Sequence, residues 1–134
     1  MPSKNFKLIQ TGLKDKHAAL ALKHTESLPN FIIIGAAKSA TTTLTTILPK
    51  HPDIFISKPK EPKFFGRYYN KGWDWYASRF SEGQGSALRG EGSTMYTSQM
   101  KAFENTPELM HQYLPKLKLI YIVRHPLDRI VSQW

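Results

Sequence analysis

Two groups of polar side chains stand at spacings that suit the capture of an oxyanion. The first lies in FIIIGAAKSATTTL, residues 31–44, where an apolar run passes through Gly35 into Lys38, Ser39, Ala40, Thr41, Thr42 and Thr43. Backbone N–H groups at the start of a helix lack partners and carry partial positive charge, so such a turn attracts phosphate or sulfate. Hydroxyls add donors, and Lys38 adds a mobile point charge. Threonine is a poor helix former because β-branching restricts χ1, so a ligand explains this first turn better than propensity does. The alternative is a capped, buried helix with an ordinary surface lysine.

The second group is R-x-x-x-x-R-x-x-S, formed by Arg124, Arg129 and Ser132. A guanidinium at a strand tip and a hydroxyl on the next helix could pinch one phosphate. A structural salt bridge from either arginine fits the same spacing. Nucleotide hydrolysis or kinase chemistry is the rival for the whole pattern. Its loop, however, wants G-x-x-x-x-G-K-[ST], and no second glycine precedes Lys38. Magnesium would also need an acid at a neighbouring strand end, whereas KLIYIV runs into Arg124. His17, His24, His51, His111 and His125 show no ligand-like spacing with acids, so no metal is expected.

These groups need strands and helices to hold them. Phe31–Ile34 is a continuous apolar run, the mark of a strand buried on both faces, and KLIYIV over Lys118–Val123 is a second. Short strands are expected over Asp53–Ile56 and Leu88–Glu91. Leu44, Ile47 and Leu48 form one face of a helix that ends at Pro49. Further helices are expected over Asp15–Ser27, Thr97–Phe103 and Pro107–Leu114. Trp73, Tyr76 and Phe80 recur at helical spacing and read as core rather than as a stacking platform. In PLDRIVSQW, Pro126 suits a first helical turn, and Leu127, Ile130, Val131 and Trp134 mark one apolar face. Strands alternating with helices predict an α/β fold with a central parallel sheet. Residues 1–30 read as a polar lead-in, and residues 31–134 as the N-terminal part of a domain whose last helix has no cap.

The 134 residues allow one domain, and 40% hydrophobic with 22% charged residues is the balance of a globular protein. No run approaches the roughly 20 apolar residues of a membrane span. The lysine-containing N-terminus has no continuous apolar segment and makes a poor secretory signal. Cysteine is absent, which excludes disulfides and thiolate metal sites and fits a reducing, cytoplasmic setting. A net charge of +9 favours anionic ligands without choosing among them.

Taken together, FIIIGAAKSATTTL, KPKEPKFF, GEGSTMY and YIVRHPLDRIVSQW resemble the sulfotransferases that use 3′-phosphoadenosine 5′-phosphosulfate (PAPS), closest to the carbohydrate branch. The resemblance covers residues 31–134 and implies a P-loop-like three-layer α/β fold. It implies that the Gly35–Thr43 loop, through Lys38, Ser39, Ala40, Thr41, Thr42 and Thr43, holds the 5′-phosphosulfate, while Arg124 and Ser132 hold the 3′-phosphate. Glu61 falls at the position of the base that activates the acceptor, a hydroxyl or amine of a glycan or small molecule. Lys58, Lys60 and Lys63 are expected to favour its ionised form. Read without the resemblance, Glu61 is an ordinary loop glutamate in a surface ion pair. Nucleic acid is not implied as a partner. The pattern departs from the family at Ala40, where glycine is usual, at Gly92, where a basic residue is frequent, and at Lys63, often histidine. Glu91 and Ser93 could line the acceptor side, or Glu91 could be a structural hydrogen-bond partner. Phe64, Phe65, Tyr68 and Tyr69 could flank a cleft, with core packing the expectation for most. Two alternatives remain: a truncated, inactive fragment that only binds nucleotide, and a P-loop nucleotide kinase.

Overall fold

The computed structural model describes residues 20–21 and 23–134. Residues 15–19 and 22 of the helix expected over Asp15–Ser27 lie outside them; Leu20, Ala21 and Lys23 are helical, and residues 24–27 form turns. The elements that follow are β1 (Phe31–Gly35), α1 (Thr41–Ile47), β2 (Ile54–Ile56), α2 (Trp73–Ser78), β3 (Leu88–Glu91), α3 (Thr106–Tyr113), β4 (Lys118–Tyr121) and α4 (Pro126–Val131). The four strands make one sheet in the order β2-β3-β1-β4, and every pairing is parallel. Parallel neighbours need crossovers, and the intervening helices and turns supply them. This is the expected α/β architecture.

β1 sits inside the sheet and alternates between two apolar layers. Ile32 faces an aromatic layer that includes Phe64, Phe65, Trp73, Tyr76 and Phe80. Phe31 and Ile33 face the opposite side, where Ile56, Leu44 and Leu48 pack on them. Burial on both faces is why the strand reads as unbroken apolar sequence. Phe64 stacks on Tyr76 at 4.2 Å between ring centroids and meets Trp73 edge-on at 5.0 Å. Trp73, Tyr76 and Phe80 have no exposed surface, so that stripe is core. Gly90 stands opposite Phe31 in register, and a Cβ there would lie 2.2 Å from the Phe31 ring. The missing side chain lets that ring lie across β3.

Three expectations are corrected. β4 was expected to be buried on both faces; among the described residues it is the outermost strand, with Leu119 and Tyr121 53% and 51% exposed. Leu119 is registered with Ile32, and the aromatic layer over β1 does not extend to it. The helix expected over Thr97–Phe103 is replaced by two 3-10 turns, Thr94–Thr97 and Lys101–Phe103. Local side-chain bonds compete with the helix there: Thr97 Oγ1 donates to Ile34 O, and Ser98 Oγ accepts from the Met100 N–H. On α1, Leu44 and Leu48 pack inward while Ile47 is 52% exposed, because the helix gives way to a 3-10 turn at Leu48–Lys50.

Candidate functional site

The loop between β1 and α1 bends through two left-handed residues, Lys38 at φ 62° and Ala40 at φ 59°. Ala40 is the N-cap of α1 and has ψ 23°. A Cβ is disfavoured in that conformation, which is the physical reason glycine suits the position. Gly35, closing β1, is fixed by a close approach: a Cβ would lie 2.7 Å from Cε2 of Tyr121. Lys38 is exposed, whereas Ser39 is buried and its Oγ has no hydrogen-bond partner among the described residues. Such an orphaned hydroxyl usually marks a missing ligand or water. Thr41 is buried, and Thr42 and Thr43 are exposed. The helix also holds its own threonines, since Thr45 Oγ1 donates to Thr41 O at 3.0 Å and Thr46 Oγ1 to Thr42 O at 2.8 Å.

Adjacent strand tips bring Arg124 to this loop. Its Nη1 donates to Lys38 O at 3.1 Å, so the guanidinium and the turn share one neighbourhood. Among the described residues neither Arg124 nor Arg129 makes an ion pair. Ser132 caps α4 on an exposed stretch, its N–H donating to Asp128 O at 3.1 Å. The structure thus brings the arginine to the loop, and Ser132 follows on the next helix.

Glu61 enters from the segment after β2. Its side chain is one-quarter exposed, with Lys60 Nζ 3.2 Å from Oε1 and Lys63 Nζ 3.7 Å from Oε2. Lys58 does not join them; it pairs with Glu82 at 2.6 Å. Lys60 does more than neutralise its neighbour. It also donates to Thr42 Oγ1 at 2.8 Å, so one ammonium joins the carboxylate to the β1–α1 loop. In the sequence Lys60 reads only as nearby charge, and the doubled K-P-K-E-P-K pattern is the signal that two lysines flank Glu61 at short range.

Glu91 and Ser93 do not line an accessible surface; both are fully buried. Glu91 accepts hydrogen bonds from Tyr76 Oη at 2.5 Å, Tyr96 Oη at 2.9 Å and Ser93 Oγ at 2.5 Å. Burial pushes its carboxyl up to about 7; the three hydroxyls oppose that rise, and the charge of Glu61 adds to it. Between them, Gly92 packs against α1, and a Cβ there would lie 2.8 Å from Thr45 Cγ2. Phe64 and Phe65 are core, while Tyr68 and Tyr69 are half-buried. A groove of about 620 Å³ beside Leu28, Asn30, Tyr113 and Leu117 lies at the opposite, amino-terminal edge of the strands. It is remote from this chemistry.

The sulfotransferase domain family matches residues 28–134. The chain is 38% identical over 110 residues to a membrane-associated sulfotransferase of Dictyostelium discoideum, covering 80% of this chain and 22% of that one. It is 32% identical over 106 residues to human heparan sulfate glucosamine 3-O-sulfotransferase 6, covering 79% and 30%. It is 33% identical over 119 residues to the mouse bifunctional heparan sulfate N-deacetylase/N-sulfotransferase 3, covering 82% and 13%. It thus spans less than a third of the length of each. With the parallel sheet and the basic loop at its strand tips, these likenesses establish that the chain belongs to the sulfotransferase domain family.

Proposed function

We propose that this chain carries the PAPS cradle and the base of a sulfotransferase that moves a sulfuryl group to a hydroxyl or amine, on a carbohydrate acceptor. The observation that carries the reading is Lys60, whose ammonium spans Thr42 Oγ1 at 2.8 Å and Glu61 Oε1 at 3.2 Å. An anion site and a candidate base are thereby held side by side. PAPS, when bound, supplies a sulfuryl group already activated for in-line displacement. Lys38, Ser39, Thr41, Thr42 and Thr43 hold the 5′ end, and the orphaned Ser39 hydroxyl gains a partner there. Arg124 and Ser132 hold the 3′-phosphate. Lys38 and Lys60 place fixed positive charge where negative charge builds during transfer. Glu61 takes the proton of the attacking hydroxyl or amine. The glycan acceptor is supported by the heparan sulfate enzymes among the relatives.

Calorimetry with 3′,5′-ADP, 5′-AMP and MgATP tests the cradle. Preference for 3′,5′-ADP is expected, and equal affinity for 5′-AMP would remove the assignment to a 3′-phosphate. A second reading, binding without turnover, draws on the small share of its relatives that the chain spans. Transfer of labelled sulfate from PAPS to a glycan panel separates the two. The kinase reading is disfavoured by Arg124, which stands where a magnesium-binding acid would be needed.

A further inference from the structure

Glu91 presents a physical puzzle. It is a fully buried carboxyl with no cationic partner among the described residues. Burying a carboxylate is costly, and an apolar residue of similar volume would often serve stability as well. Its partners show what the charge does. A hydroxyl has one proton to give and lone pairs to receive with. Ser93 gives its proton to Glu91 Oε2, and its Oγ accepts from the Lys63 N–H at 3.0 Å. Tyr96 gives its proton to Oε1, and its Oη accepts from the Phe65 N–H at 3.5 Å. Tyr76 gives the third proton to Oε1. An ionised carboxylate only accepts, so it turns every one of these O–H groups toward itself. The lone pairs of Ser93 and Tyr96 then face two backbone amides of the segment that carries Glu61. On the near side of Glu61, the Gly92 N–H donates to Lys60 O at 2.7 Å. The segment is therefore tied at residues 60, 63 and 65, with Glu61 between the ties.

We propose that Glu91 is a positioning residue: its carboxylate, acting through Ser93 and Tyr96, latches the Lys60–Phe65 segment so that Glu61 stays between Lys60 and Lys63 beside the β1–α1 loop. Protonation releases the latch through Ser93 or Tyr96: a protonated Glu91 must donate, and whichever of these two receives its proton turns its own proton away from the carboxyl and meets the amide N–H it accepted from. A proton given to Tyr76 instead would leave both ties in place, and pH-independent protection is the signature of that outcome. The groups facing Glu91 are Tyr76 from α2, Tyr96 and Ser93 from the following turn, and Glu61 from the segment itself. Both tyrosines are pushed well above their ordinary range by burial and the adjacent carboxyl, so they remain donors throughout. Glu91 is the group that titrates within the network.

The importance of this latch for catalysis rests on the reading of Glu61 as base; the latch itself does not. Amide hydrogen exchange in this chain tests it without turnover. Protection factors of Lys63 and Phe65 are expected to fall at least tenfold between pH 8 and pH 5.5, while those of β1 hold. Glu91→Gln is expected to show the low values at every pH. Ser93→Ala should lower Lys63 alone and Tyr96→Phe should lower Phe65 alone, which separates a latch from general loosening. Protection at Lys63 and Phe65 that is independent of pH, and unchanged in Glu91→Gln, would overturn the proposal. Sulfate transfer distinguishes the two readings. A lower kcat with unchanged KM for PAPS in Glu91→Gln is expected; loss of protection with full kcat would leave the latch standing and refute its importance for transfer, while Glu61→Gln tests the base itself.

Discussion

The buried carboxyl of Glu91 makes stability fall as pH rises, and the size of the fall can be worked out. Its pKa is about 7 in the folded chain, against an ordinary value of 4.5. Below 4.5 both folded and unfolded chains carry the proton, and the group contributes nothing. Between 4.5 and about 7 the unfolded chain ionises while the folded one resists, so folding loses free energy with each pH increment. Above about 7 both are ionised and the penalty is complete. At about 1.4 kcal/mol for each tenfold change in proton affinity, the full penalty is about 3 kcal/mol. The other displaced groups stay outside this window. Asp74 is lowered by the His24 hydrogen bond and titrates on the acid side, and the buried tyrosines titrate on the alkaline side. Urea unfolding of this chain at intervals from pH 5 to pH 8 reads the effect directly. With a slope of roughly 1–3 kcal/mol per molar urea, the midpoint should drop by about 1–3 M. Glu91→Gln cannot ionise and should show a midpoint nearly flat over the same range. Parallel curves for the two proteins would refute the reasoning, because the substitution removes the ionisation that is held to cause the fall.

Further outcomes follow from the site and the sheet. Glu61→Gln should lower sulfate transfer by about 10²–10⁴-fold while 3′,5′-ADP affinity by calorimetry stays unchanged; undiminished turnover would exclude the residue as base. Lys38→Ala should abolish transfer in the same assay, and residual full activity would remove the lysine from the site. Ala40→Gly relieves a left-handed alanine at the N-cap of α1 and should stabilise the chain by about 0.5–1 kcal/mol in urea unfolding, after allowing for the greater freedom of unfolded glycine. Gly90→Ala drives a methyl to 2.2 Å from the Phe31 ring and should cost about 1–3 kcal/mol or more by the same measurement.

Much of the sheet was legible because its strands carry local signatures. Phe31–Gly35 reads as a doubly covered strand, and β3 falls at Leu88–Glu91, where it was expected. β4 shows the limit of that logic. KLIYIV reads as a buried strand, yet among the described residues β4 has a partner strand on one side only and Leu119 and Tyr121 are open; what pairs with a strand is a long-range property that its composition does not report. The site was half legible. Lys38 and Arg124 meet at the loop, and Lys60, which the sequence shows only as nearby charge, joins Thr42 to Glu61. Lys58 and Lys60 are chemically alike and two residues apart; which one meets Glu61 depends on the turn of the backbone between them.

Chain chemistry alone was enough to specify a parallel α/β sheet, a basic hydroxyl-rich turn at the tip of its inner strand, and the sulfotransferase likeness. Those are consequences of short-range pattern, where side-chain alternation and local donors suffice. Only the tertiary structure decided that Glu91 is buried among three hydroxyls rather than facing an acceptor, and that Lys60 reaches across to Thr42. Both depend on segments distant in sequence meeting at one place, where hydrogen-bond direction and exclusion of water determine what a charged side chain can do.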